Sequence, residues 1–148
     1  LRLSGGVPDR SHLERRALTV LAGRAADAAL GSGPNAGAVH DLLEATRIVA
    51  SLHAAYGLGA TLAHRVAPGE AERLLQWDTG LSELVEADLQ RLMRQAEALV
   101  WSERDAIRAV AEALMARRVL TGEEVAAIAA NHLPRLRIRA SRAVRCGT

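Results

Sequence analysis

The chain has almost nothing aromatic with which to fill a core: Tyr56, Trp77 and Trp101 stand alone among 148 residues, and phenylalanine is absent. Alanine and leucine dominate instead. A buried interior must therefore be assembled from aliphatic helices that approach closely through small side chains. The expectation is an all-α helical bundle. The length suits one domain with a core that needs no disulfide or structural metal. The single cysteine, Cys146, excludes an intrachain disulfide framework and makes a reducing compartment the default. No apolar run approaches the roughly 18 to 20 residues that span a bilayer, and no signal peptide is visible. Any membrane anchor of the parent protein is expected outside this chain.

Residues 1–10, with Gly5, Gly6 and Pro8, read as a loop entering a helix. Ser11-His12-Leu13-Glu14 has the form of a capping box, and Leu18, Leu21, Ala25 and Ala28 follow as one apolar stripe up to Gly31. The glycine- and proline-containing stretch 31–37 interrupts helix. A second helix is predicted from His40 or Asp41, with Leu42, Ala45, Val49, Leu52 and Tyr56 on one face and Gly57 as its stop. Residues 58–79 carry a weak pattern, with a turn at Pro68-Gly69 and a short helix near Glu70 to Trp77. A long helix from Ser82 to Trp101 places Val85, Leu89, Leu92, Ala96 and Leu99 inward. Ser102 and Asp105 start another helix, burying Ile107, Val110, Ala111 and Leu114. Thr121-Gly122-Glu123-Glu124 is a further capping box before a short last helix. The organisation expected is a helical domain over 11–133 and an Arg-rich flexible tail over 134–148.

Three segments, in order, carry a resemblance. Residues 17–27 read Ala-Leu-Thr-Val-Leu-Ala-Gly-Arg-Ala-Ala-Asp, and residues 37–46 read Gly-Ala-Val-His-Asp-Leu-Leu-Glu-Ala-Thr. The third runs from Ala113-Leu114 to Leu120-Thr121-Gly122-Glu123-Glu124-Val125. Together they resemble the C-terminal part of the FtsH-type peptidase domain, the zinc metalloprotease half of an AAA+ ATP-dependent protease. The first matches the family's Gly-Arg-Ala-Ala-Glu helix, with Asp27 in place of the glutamate. The second matches its Gly-Ala-x-Asn-Asp-Leu-x-x-Ala-Thr, with His40 in place of the asparagine. The third matches its closing helix hairpin. The resemblance covers roughly residues 9 to 130.

The resemblance implies a metal site in the complete domain. A helix bearing H-E-x-x-H supplies two histidine ligands and a glutamate base in such proteases, and Asp41 corresponds by position to the third zinc ligand. Its five-residue spacing to Thr46 matches the family. The metal would polarise the scissile carbonyl and acidify a bound water. Yet no H-E-x-x-H occurs here, and no two of His12, His40, His53, His64 and His132 lie three or four apart. The chain by itself is thus expected to hold no complete catalytic site. Either it is a fragment whose upstream residues carry the motif, which the abrupt start favours, or the parent is a degenerate homologue kept as a non-catalytic helical assembly module. The resemblance further implies protein substrates, ATP at an upstream ATPase domain, and a homo-oligomeric ring, a hexamer. It also implies a cytoplasmic location or anchorage at the cytoplasmic face of the inner membrane.

Other residues have plainer readings. Asp41 also suits a helix start, where a carboxylate caps amides and meets the positive end of the dipole. His40 reads as an exposed histidine and His53 as a half-buried one. Gly23 and Arg24 suggest close helix packing with an ion pair to Asp27 or Glu44, and Glu44 is a possible orienting neighbour of Asp41. Trp77 and Trp101 read as core or interface anchors. Net charge is only +2, but Arg135, Arg137, Arg139, Arg142 and Arg145 cluster without an acid. All cations are arginine, and no aromatics interleave with them, so nucleic acid is not the expected partner.

Overall fold

The computed structural model describes residues 7–31, 33 and 36–132. The Arg-rich segment after Pro134, and with it the expected flexible tail, lies outside the described residues. Among the described residues all regular structure is helical, as the composition requires: five α-helices and two short 3-10 turns. They fall into two compact units, one ending at Ser102 and one beginning at Glu103.

The first unit holds α1 (Arg10–Leu30), α2 (Val39–Ala54) and α3 (Thr79–Ser102). Asp9, not Ser11, caps α1: its carboxylate accepts a hydrogen bond from the His12 amide at 2.7 Å. The expected box fails because Glu14 is drawn to Arg10 and Arg91, at 2.9 and 2.8 Å, instead of folding back on the helix start. Leu13, Ala17, Leu21 and Ala25 form the buried stripe of α1, one turn earlier than the sequence pattern suggests. Ala45, Ile48, Val49 and Leu52 supply α2's share. On α3 the inward positions are Leu81, Val85, Leu92, Ala96 and Val100, while Leu99 turns outward at 52% exposure. Leu21, Leu52, Leu92 and Val49 are the largest side chains sealed from solvent. Each contributes about 1.5–3 kcal/mol by leaving water.

The weakly patterned stretch after α2 is ordered by polar contacts. Gly57, at φ +62°, makes a turn that L side chains rarely adopt, and an added Cβ would press on the Leu62 carbonyl oxygen at 3.1 Å. The Arg65 amide donates to the Ala54 carbonyl at 2.8 Å, and its guanidinium pairs with Asp78 at 2.7 Å. Residues Ala71–Gln76 form a 3-10 turn held to α2 by Arg47 and Glu72 at 2.6 Å. Asp78 then caps α3 through the Leu81 amide, which with Arg65 holds its carboxyl below the ordinary aspartate range. Trp77 is 85% exposed and Trp101 is 54% exposed, so of the core-or-interface reading the core half fails for both and the interface half stands.

The second unit is a hairpin of α4 (Arg104–Arg117) and α5 (Gly122–His132). Here the predicted capping box forms reciprocally: the Glu124 amide donates to Thr121 Oγ1, and the Thr121 amide donates to the Glu124 carboxylate. Of the residues expected to be buried on α4, Ile107 and Val110 are half-covered, and Ala111 and Leu114 are exposed. Among the described residues of α4 only Ala106 is buried.

Candidate functional site

Asp41 stands in the first turn of α2, entered through a 3-10 turn at Ala36–Ala38. Buried Ala38 is the helix cap and has no side-chain oxygen, so the start of α2 carries no side-chain cap bond. Asp41 could have filled that role. Instead its half-buried carboxylate takes no hydrogen bond or ion pair from any described residue. Its lone pairs are thus left uncommitted among the described residues.

The carboxylate faces α1. A Cβ placed on Gly23 would lie 3.5 Å from Asp41 Oδ2, and it would meet no other atom within 4 Å. Glu44, one turn along α2, is committed elsewhere, pairing with Arg16 of α1 at 2.7 Å. Thr46 donates its hydroxyl to the Leu42 carbonyl at 2.7 Å, and His40 is exposed. No group of three or more His, Cys, Asp or Glu side chains able to hold a metal converges among the described residues. Zinc chemistry fits what is present to the extent of one hard oxygen donor, Asp41, free of competing partners.

A second polar cluster was legible only in part. His53 is 3% exposed, more deeply placed than the half-buried reading, and its Nε2 lies 2.9 Å from Asp88 Oδ2. The Ala60 amide donates to Nδ1 at 3.3 Å, so the Nε2 proton is the one given to Asp88. Arg91 bonds both Asp88 and Glu14, and Glu14 bonds Arg10. Burial opposes ionisation of Asp88, but the hydrogen bonds from Arg91 and His53 outweigh it and hold its carboxyl below the ordinary range. One signal was available in sequence: Asp88 falls three residues after Val85 and four before Leu92, a charge set on an apolar stripe.

That His–Asp pair is not a catalytic arrangement. Both imidazole nitrogens are engaged, and a Cβ on Gly59 would sit 2.2 Å from Nδ1, so the loop is packed directly on the ring. The cluster ties α1, α2, α3 and the loop after α2 together. His64 and His132 likewise spend a ring nitrogen on backbone carbonyls, those of Ala55 and Ile128.

The model of peptidase family M41 matches residues 6–128, and the chain belongs to that family. It is 32% identical over 121 residues to ATP-dependent zinc metalloprotease FtsH 2 of Symbiobacterium thermophilum. That alignment covers 78% of this chain and 21% of the relative, so the chain spans about a fifth of the protein it matches. No helix among the described residues is long and apolar enough to cross a membrane.

Proposed function

We propose that this chain is the C-terminal portion of the peptidase domain of an ATP-dependent zinc endopeptidase, and that Asp41 is the third zinc ligand of the complete domain. The observation that carries the reading is the Asp41 carboxylate, held at a helix start inside a family-M41 chain with no described residue competing for it. Bound zinc supplies a Lewis acid and a water of lowered pKa for peptide hydrolysis. Asp41 contributes negative charge and a fixed oxygen to that site. The Arg16–Glu44 pair links α2 to α1 one turn away. The remaining donors and the general base belong to residues beyond those described.

The same reading places an AAA+ ATPase upstream, feeding unfolded protein substrates to a homo-hexameric peptidase ring. The location is the cytoplasm or the cytoplasmic face of the inner membrane, through an anchor outside this chain. The test is zinc content and ATP-dependent casein cleavage of the full-length product beside its Asp41→Ala variant. Loss of cleavage together with reduced zinc is the expected result. A zinc-free, inactive wild type would replace this reading with that of a non-catalytic assembly module.

A further inference from the structure

A glycine in the middle of a 21-residue helix is costly, because it surrenders more chain entropy than any other residue. Gly23 lies seven residues from the end of α1, on an exposed part of the helix, and nothing among the described residues around it demands it. Its backbone is not in the left-handed region, and a Cβ would meet only the Asp41 carboxylate, at ordinary contact distance. Packing of α1 on α2 therefore does not explain the missing side chain. What the missing side chain does is leave the Asp41 carboxylate uncovered on the α1 side. Alanine would touch it, and a longer side chain would add atoms beyond a Cβ already in contact with Oδ2.

We infer that Gly23 is a positioning residue that keeps the Asp41 carboxylate accessible to the zinc it ligates, at the expense of helix stability. This rests on the assignment of Asp41 as a ligand. It adds that the first segment of family resemblance, residues 17–27, serves the metal through an absence. Arg24 and Asp27 need take no part.

The test uses the full-length protein and its Gly23→Ala, Gly23→Leu and Asp41→Asn variants. Zinc affinity is read by competition with a chelating dye, and thermal unfolding is followed after the metal has been stripped. Gly23→Leu is expected to weaken zinc binding by at least about tenfold, the scale on which changes beside a ligand act. Gly23→Ala is expected to weaken it less. In the stripped protein both replacements should raise the unfolding midpoint, by roughly 2–4 °C, because both residues favour helix more than glycine does. That combination, weaker metal with a more stable helix, is one that packing damage does not produce. Wild-type affinity in Gly23→Leu, or a fall in zinc affinity and stability together, would overturn the inference while leaving the ligand assignment intact. Full zinc affinity in Asp41→Asn, or a wild type that takes up no zinc, would overturn the ligand assignment and the inference with it.

Discussion

The two units of this chain are both helical, yet they are held by different means. Residues up to Ser102 enclose Leu21, Val49, Leu52 and Leu92 almost completely and tie their helices with a polar cluster of five side chains. Among the described residues the hairpin from Glu103 buries one alanine, on α4, and α5 buries nothing. Its apolar groove, lined by Ile107, Val110, Val125 and Ala129, is half open. Helix there rests on local devices: the Thr121 box, the Arg117–Glu124 ion pair and the turn at Arg118. A core makes helices cooperative, whereas capping only biases each helix by itself.

Truncation of a sealed side chain against an open one gives the widest contrast. Leu52→Ala should cost about 2–5 kcal/mol in urea unfolding, whereas Leu114→Ala, at an exposed position, should cost under about 1 kcal/mol. Equal losses would mean that the hairpin has a core of its own.

Acid should test the polar cluster of the first unit. The folded pKa of Asp88 is depressed, so the stability it contributes is fully present above the unfolded value of about 3.9. It is lost as pH falls through the lower folded value. Urea midpoints taken between about pH 5 and pH 2.5 should therefore fall for the wild type. Asp88→Asn should start lower at neutral pH and show a shallower decline. An unchanged slope would remove Asp88 from the account of the first unit.

The smallest effects belong to the hairpin's local devices. Thr121→Ala should cost about 0.5–1 kcal/mol, seen as faster amide exchange at the start of α5. Arg118 is the one non-glycine residue with positive φ among those described, at 64°, where it ends α4. Arg118→Gly should gain roughly 0.5–1 kcal/mol by relieving that conformation. Exchange changes spreading into α1–α3 would show the two units to be less independent than their cores suggest.

Helix number, order and approximate bounds were legible because apolar periodicity and breakers such as the 31–37 stretch act locally. The Thr121 box was legible for the same reason: both partners lie within four residues. At the start of α1 the same pattern misled, since Glu14 finds Arg10 and, 77 residues away, Arg91. The choice between Leu99 and Val100 as the last inward residue of α3 depends on phase accumulated over six turns. Periodicity identified an apolar face on α4 but not what covers it, and so overstated the burial of Ala111 and Leu114. At the candidate site, the sequence marked Asp41 through resemblance alone. That its carboxylate is left without partners, and that Gly23 opens beside it, depends on how α1 crosses α2.

Ala17, Ala25, Ala45 and Ala54 have no exposed surface at all. The seams between the helices of the first unit are thus as narrow as a methyl group permits, and mutation there has a direction. Glycine is the only smaller replacement, and it is expensive in a helix, while every larger residue must push two backbones apart. Drift at these positions is confined to near-identity, and a lineage that needs a larger side chain at one of them must first lose volume on the opposing helix.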